Sequence, residues 1–161
     1  MSCKNCKSTK LIKRVEIGKQ PLSGFFYKKI NKKIPKYSLD LYQCKVCGLV
    51  QIKNEFDIKK MYGKHYGYET SKSKLMVDHL QEKVSRFKKE GFFKKRDSII
   101  DIGSNDGTFL NLIGDKNIRY GVDPSGKKFA DNYHKITLID KFFSRKIIKS
   151  KNTKFDLITS F

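Results

Sequence analysis

Short apolar runs, separated by amphipathic or polar segments, organise the second half of the chain. Three of them, at residues 98–101, 118–123 and 136–140, end at an aspartate, and a fourth begins at residue 155. Runs of this length bounded by turn residues predict strands buried on both faces. Residues 109–113 predict a short helix closed by Gly114, and Ser144 is expected to cap another. Strands that alternate with helices predict an α/β domain with a parallel sheet.

A longer amphipathic helix is predicted upstream of this domain. Ser71 or Ser73 can cap its N-terminus, and Gly91 can end it. Polar residues fill the remaining positions, so one face is expected to be buried and the other exposed. The apolar face repeats every three or four residues, at Met76, Leu80, Val84 and Phe87.

The first third of the chain instead alternates polar and apolar residues, which is typical of half-buried strands. We predict short strands within residues 11–17, 25–27, 37–43 and 49–52, with a turn across residues 18–24. Strands this short bury little apolar surface, so the segment needs another source of stability.

Two pairs of cysteines with the spacing C-x2-C bracket this β-rich segment. Two intervening residues let both thiolates of a tight turn face one ion, and two such turns give the tetrahedral four-thiolate coordination of a structural zinc ion. Because all four ligands are protein groups, no position remains for a catalytic water. Two unrelated reduced pairs, or a redox pair, are the alternative. The predicted ligands are Cys3, Cys6, Cys44 and Cys47.

Charge is the strongest compositional feature. The chain has 36 Lys and Arg residues against 16 Asp and Glu residues, a formal net charge of +20. Most of the basic residues are lysines spread along the chain, whereas bidentate recognition of phosphate relies on arginine. We interpret the charge mainly as a compositional bias that also suits an anionic substrate such as a nucleotide diphosphate. A basic zinc-ribbon module that binds nucleic acid is the alternative.

No apolar run approaches membrane-spanning length, and the first residues have no apolar signal-peptide core. We therefore expect a cytoplasmic protein without a membrane partner. In that reducing compartment, cysteines are more often metal ligands than disulfides.

The loop after residues 98–101 has the features of a cofactor site. Asp123 lies 20 residues after Gly103, the distance at which a carboxylate on the next strand can bind both ribose hydroxyls. Asp106, beside the helix start, repels a pyrophosphate and suits an ammonium group, which favours S-adenosylmethionine over a dinucleotide. An ordinary strand–turn–helix is the alternative. The predicted cofactor residues are Asp101, Gly103, Ser104, Asn105, Asp106, Gly107 and Asp123.

Two further segments could complete this site. Asp140 and Phe142 follow the third strand and could hold the amino group and the face of the adenine; equally, Phe142 and Phe143 could be core residues. Residues 61–71 are rich in tyrosine and glycine and predict a loop over the cofactor domain. Tyr66 and Tyr68 could contact substrate or cofactor there, or form a domain interface.

Several motifs in order carry a family resemblance. They are C-x-x-C at residues 3–6, GKQPL at 18–22, Y-x-L-x-L-x-x-C-x-x-CGLVQ at 37–51, Y-x-Y at 66–68 with Ser73 and His79, IGSNDGT at 102–108, GVDP at 121–124 and DLIT at 156–159. With these motifs the chain resembles the sugar C-methyltransferases that carry an N-terminal zinc-binding domain, such as the NDP-hexose 3-C-methyltransferases of deoxysugar pathways.

This resemblance implies transfer of a methyl group from S-adenosylmethionine to a carbon of a keto-sugar nucleotide, with a purely structural Zn²⁺. A base would remove the proton next to the ketone, and the enolate would attack the methyl group. The implied fold class is α/β. We expect a small four-cysteine, β-rich zinc-binding domain at residues 1–56, a tyrosine-rich linker and amphipathic helix at 57–96, and a partial, Rossmann-like class I methyltransferase domain at 97–161.

In the family, further strands and a C-terminal domain follow the fourth strand and supply most of the substrate pocket and the proposed base. We therefore expect a truncated N-terminal portion, with catalytic residues beyond Phe161 and no methyl transfer by itself. A complementary C-terminal chain is the expected partner, together with the sugar-nucleotide substrate; nucleic acid is not expected. A non-catalytic remnant, stable only with a partner, is the remaining alternative.

Overall fold

The computed structural model describes residues 1–21, 35–52, 57–62, 66–151 and 153–161. The chain divides into two compact units, Met1–Met61 and Tyr62–Phe161. Among the described residues, no helix is long and apolar enough to span a membrane.

The first unit is built from short antiparallel strands. They are β1 (Leu11–Val15), β2 (Lys19–Pro21), β3 (Lys36–Ser38), β4 (Leu41–Cys44) and β5 (Val50–Ile52), followed by one turn of helix, α1 (Ile58–Met61). β1, β4 and β5 form a three-stranded sheet with β4 in the centre, and β2 pairs with β3. The predicted strands within residues 11–17, 37–43 and 49–52 are confirmed.

Two predictions for this unit have a different outcome. The turn expected across residues 18–24 is wrong at Lys19–Pro21, which pairs with Lys36–Ser38 as a strand. Gly18 has positive φ, and the side chain of Asp40 accepts hydrogen bonds from the amides of Ile17 and Gly18. The strand expected at residues 25–27 lies outside the described residues.

The second unit begins with its longest helix. A turn of 3₁₀ helix (Thr70–Lys72) leads into α2 (Lys74–Lys89). Of the two predicted N-cap residues, Ser73 caps the helix, because its side chain accepts a hydrogen bond from the amide of Met76. Gly91 follows the helix end with φ +74°, a conformation that favours glycine. The predicted helix and its end are thus confirmed.

A four-stranded parallel sheet forms the rest of this unit. Its elements are β6 (Ser98–Ile102), α3 (Thr108–Ile113), β7 (Ile118–Val122), a 3₁₀ segment (Gly126–Asn132), β8 (Ile136–Ile139), α4 (Arg145–Lys151) and β9 (Leu157–Thr159). The strand order is β8-β7-β6-β9, and all neighbours are parallel. The predicted parallel sheet is confirmed, and β6, the first strand in sequence, has a partner on each side.

The core of this unit lies where α2 and α3 pack together against the sheet. The apolar positions predicted from helical spacing include its buried members Leu80 and Val84, whereas Met76 is 37% exposed. The buried cluster consists of Leu80, Val84, Phe93, Ile99, Phe109, Leu110, Ile113, Tyr133 and Ile136. This cluster fixes the position of α3, and therefore of the loop that joins the carboxyl end of β6 to α3.

Candidate functional site

The four cysteines meet at one point of the first unit. Cys3 Sγ lies 3.5 Å from Cys47 Sγ, and Cys6 Sγ lies 3.6 Å from Cys44 Sγ. All four sulfur atoms lie within 4.8 Å of one another. The sequence-predicted ligands are therefore brought together.

The two cysteine pairs sit in turns of the same construction. The amide of Lys7 donates to the carbonyl of Cys3, and the amide of Gly48 donates to the carbonyl of Cys44. Lys7 and Gly48 both have positive φ, at +62° and +77°. The carbonyl and amide of each turn are thus satisfied locally, and both sulfur atoms of each pair face the other pair.

The sulfur spacing fits a tetrahedral metal centre. Zinc–thiolate bonds of about 2.3 Å in a regular tetrahedron place sulfur atoms about 3.8 Å apart, close to the 3.5 and 3.6 Å found here. The cysteines are free rather than bridged. The donor set therefore suits Zn²⁺, and because it already has four ligands the site is structural.

The electrostatics of the four-cysteine cluster also favour a bound cation. The amide of Leu49 lowers the pKa of Cys47 to about 6, and the amide of Cys47 lowers the pKa of Cys44. The amide of Ser8 lowers the pKa of Cys6, but burial and the neighbouring thiols together raise it to about 12. The neighbouring thiols thus disfavour ionisation of Cys6, and a cation bound among the sulfur atoms would favour it.

The second candidate site lies at the carboxyl ends of β6 and β7. Asp101 is in β6, and Asp123 directly follows β7. Gly103, which follows β6, has φ +81°, and a Cβ built on it would meet no atom within 4 Å. Gly103 is therefore an exposed backbone position close in sequence to the buried Asp101 and hydrogen-bonded to Val122, the residue before the buried Asp123.

Asp101 is 3% exposed and is paired with the neighbouring strand β9. Thr159 donates a hydrogen bond from its hydroxyl to Asp101 Oδ1 at 2.7 Å. Burial raises the pKa of Asp101 to about 6, the bond from Thr159 lowers it in part, and the charge of Asp123 adds to the rise. A cation bound here would favour the ionised carboxylate.

Asp123 ties the loop to the end of β7. Its Oδ2 accepts the amide of Asn105 at 2.9 Å, and its Oδ1 accepts the amide of Ser125 at 2.7 Å. The hydroxyl of Ser125 donates to Oδ1 as well, at 2.5 Å. Because each carboxylate oxygen has about two acceptor sites, these bonds leave acceptor capacity on Oδ2.

The side chains of Asn105 and Asp106 bind protein groups. Asn105 Oδ1 accepts from the amide of Thr70 at 3.0 Å, and its Nδ2 donates to the carbonyl of Tyr68 at 3.0 Å. Asp106 Oδ2 accepts from the amide of Ser71 at 2.8 Å, and its Oδ1 accepts from the hydroxyl of Thr108 at 2.6 Å. Both oxygens of Asp106 thus accept hydrogen bonds and the residue is 1% exposed; its role toward an ammonium group stays a prediction.

Ser104, one of the predicted cofactor residues, contacts Tyr133, which was not predicted from the sequence. Its hydroxyl lies 3.0 Å from the hydroxyl of Tyr133, which also donates to the carbonyl of Asn105 at 2.7 Å. A Cβ on Gly121 would lie 2.6 Å from Ser104 Oγ and 2.7 Å from the Tyr133 ring. A glycine inside a strand signals such a close approach, so Gly121 was the available clue.

The remaining candidates follow β8 or belong to the tyrosine-rich segment. Asp140 follows β8 and is exposed; Phe142 and Phe143 are 36% and 46% exposed. The alternative that these phenylalanines are core residues is therefore wrong. The Tyr66 and Tyr68 rings have centroids 6.4 Å apart, and burial, followed by the charges of Tyr62 and Asp123, raises the pKa of Tyr66.

One protein-family model matches the chain. Residues 3–62 match Methyltransf_13, whose description is "Putative zinc binding domain". The match contains all four clustered cysteines. No curated protein matches the chain. Residues 3–62 are thus similar to a zinc-binding domain family associated with methyltransferases, and the four cysteines are positioned to bind a metal ion.

Proposed function

We propose that this chain carries the zinc-binding and S-adenosylmethionine-binding parts of a methyltransferase that methylates a carbon of a keto-sugar nucleotide. The observation that carries the proposal is the pair of buried carboxylates, Asp101 and Asp123, close to the exposed backbone at Gly103. The family match of residues 3–62 supports the same class of enzyme.

The position of this pair agrees with the chemistry of parallel sheets. Ligands of open parallel sheets bind outside the carboxyl ends of the strands, where neighbouring connections leave in opposite directions. In the order β8-β7-β6-β9 this point lies between β6 and β9, beside Asp101 and Thr159. We infer a Rossmann-like arrangement from the strand order and from the cofactor loop that follows β6.

Several residues at the carboxyl ends of the strands have a proposed role in binding the cofactor. Asp123 accepts hydrogen bonds from the ribose hydroxyls, and Asp101 supplies negative charge opposite the cationic end of the ligand. The backbone at Gly103, the one exposed position among residues 103–107, approaches the ligand closely because this residue has no side chain. Asp140 and Phe142 are assigned to the amino group and the face of the adenine.

When bound, S-adenosylmethionine supplies an electrophilic methyl group on a sulfonium. The chain's own contribution is to bind and orient that group; none of the residues described here is assigned as the base. The sugar-nucleotide acceptor is what the resemblance to the sugar C-methyltransferases implies, and the net charge of +20 favours approach of an anionic substrate.

Isothermal titration calorimetry of the purified chain with S-adenosylmethionine tests the cofactor assignment. Asp123→Ala should weaken binding by about 1–3 kcal/mol, because ribose hydroxyls lose a buried acceptor. Asp131→Ala removes an equal charge from an exposed site and is the matched control.

Asp123→Asn controls for the folding of the loop. Its one amide oxygen can accept from Asn105 or from Ser125 but not from both, so some loss of stability is expected, and its thermal unfolding shows how much of the fall in cofactor affinity comes from the loop. No binding to the native chain would contradict the proposed function. Unchanged affinity in Asp123→Ala would contradict the ribose assignment alone.

A further inference from the structure

Residues 66–71, which we call the strap, run from Tyr66 to the 3₁₀ turn that precedes α2. The strap and the cofactor loop are about 35 residues apart in sequence, yet they share several hydrogen bonds. We propose that Asn105 and Asp106 are positioning residues, whose side chains hold the strap against the cofactor loop at the proposed cofactor edge. This inference rests on the proposed function.

The first argument is the number of bonds at one end of the strap. Asn105 Oδ1 accepts both the amide and the hydroxyl of Thr70, at 3.0 and 3.2 Å. Asn105 also donates to the carbonyl of Tyr68, and Asp106 accepts the amide of Ser71 at 2.8 Å. Backbone groups of Tyr68, Thr70 and Ser71 are therefore hydrogen-bonded by two adjacent side chains of the loop.

The second argument is the burial of those side chains. Asn105 is 7% exposed and Asp106 is 1% exposed. A buried carboxylate is costly unless it accepts hydrogen bonds, and the strap provides one of its partners. Removing the strap would therefore uncover a polar pair that the loop alone satisfies only in part.

The third argument is the anchoring of the other end. The ammonium group of Lys128 donates to the carbonyl of Tyr66, and Lys128 belongs to the 3₁₀ segment that follows Asp123. The negative charge of Asp123 also acts on the Tyr66 phenol. The strap thus spans the edge from the end of β7 to the loop after β6.

The backbone of Asn105 allows a selective test. Its φ is +48°, so Asn105→Gly keeps this conformation, keeps the amide that binds Asp123, and removes only the side-chain bonds to the strap. Arg96 also has positive φ, at +73°, and is exposed. Arg96→Gly is therefore the matched control for the backbone effect of a new glycine.

The first measurement is amide hydrogen exchange at Thr70 and Ser71. Asn105→Gly should speed exchange of both amides by about tenfold or more, since opening of the strap no longer breaks the bonds of Asn105. Arg96→Gly should leave both rates unchanged. Equal exchange in native chain and Asn105→Gly would overturn the proposal.

The second measurement separates positioning from direct contact with the ligand. Stopped-flow binding of S-adenosylmethionine to Asn105→Gly should show faster association and faster dissociation, because an opened strap obstructs neither step. Loss of a direct ligand contact would raise the dissociation rate alone and would overturn the positioning role.

Lys128→Met tests the opposite end of the strap without altering the loop. Like Asn105→Gly, it should speed both association and dissociation of S-adenosylmethionine. If both rates are unchanged, Lys128 does not anchor the strap. If the native chain binds no S-adenosylmethionine, the proposed function fails. The exchange rates then still decide whether Asn105 and Asp106 hold the strap.

Discussion

Thr159 donates its hydroxyl hydrogen to Asp101 Oδ1 across 58 residues of sequence, at 2.7 Å. This bond joins the last described strand to the first strand of the sheet, at the edge where the cofactor is proposed to bind. Burial is the main reason why the pKa of the Asp101 carboxyl is raised to about 6. The site therefore contains an acid that changes charge close to neutral pH.

Asp101→Asn should stabilise the chain above pH 6. The folded state holds a proton on Asp101 between its ordinary pKa of 3.8 and about 6, so this group lowers the free energy of unfolding as pH rises through that window. The difference between 3.8 and about 6 corresponds to roughly 3 kcal/mol. The amide oxygen of asparagine can still accept from Thr159.

Urea unfolding at pH 4 and at pH 7.5 checks this prediction. The advantage of Asp101→Asn should be small at the lower pH and large at the higher pH, while Asp131→Asn, at an exposed position, shows no such trend. A variant that loses stability at pH 7.5 would contradict the assignment of burial as the main cause.

Asp106 should show the opposite pH dependence. Burial raises the pKa of Asp106, but hydrogen bonds from Thr108 and Ser71 outweigh it and lower the pKa below 3.8. A depressed pKa stabilises the folded state above the unfolded pKa, and that stabilisation is lost as pH falls below it. Protection of the Ser71 amide should therefore decrease at acid pH, as measured by hydrogen exchange.

The matched variant for this prediction is Asp106→Asn, whose amide does not titrate in this range. In it, the protection of Ser71 should be lower at neutral pH and should no longer respond to acid. Protection that falls equally in both proteins would mean that another group controls the strap.

Gly121→Ala should destabilise the second unit by about 1–3 kcal/mol, the usual cost of overpacking a core. The added methyl group would lie 2.6 Å from Ser104 Oγ and 2.7 Å from the ring of Tyr133. Chemical unfolding measures the loss. Combining it with Tyr133→Leu should give less than the sum of the two single effects, because the second change relieves part of the first; full additivity would argue against the close contact.

Cys44→Ser should abolish stoichiometric zinc binding and unfold the first unit, because three thiolates no longer close the tetrahedron and the short strands depend on the metal. Elemental analysis and circular dichroism measure the two effects. Val46→Ala is the matched control, since Val46 lies between Cys44 and Cys47 and is 62% exposed. A Cys44→Ser protein with full zinc content would refute the four-thiolate site.

Local signals in the sequence predicted the elements of the fold well. The apolar spacing from Met76 to Phe87 and the cap at Ser73 predicted α2, and the apolar runs predicted β6 to β9, because periodicity and capping are local properties. The C-x2-C spacing predicted the metal ligands for the same reason. The strand at Lys19–Pro21 was not predicted, since its pairing with Lys36–Ser38 provides what its own residues do not.

The candidate cofactor site was predicted less completely. The positions of Asp101 and Asp123 follow from the ends of two apolar runs, but the engagement of Asp106 by Ser71 does not. Bonds between segments 35 residues apart leave no periodic trace in the sequence. Tyr133 was missed because a lone tyrosine in a polar stretch gives no signal, although Gly121 inside a strand indicated a close neighbour.

The pairing of β9 with β6 makes Asp101 an internal indicator of sheet assembly. Leu157 aligns with Ile99, so this strand joins the sheet only after a long loop has closed. Burial in the assembled sheet raises the pKa of Asp101 to about 6, and the bond from Thr159 lowers it in part, so the protonation of Asp101 is expected to change as β9 pairs with β6. The protonation of one side chain, followed by NMR during refolding, would therefore report when the outermost strand takes its place.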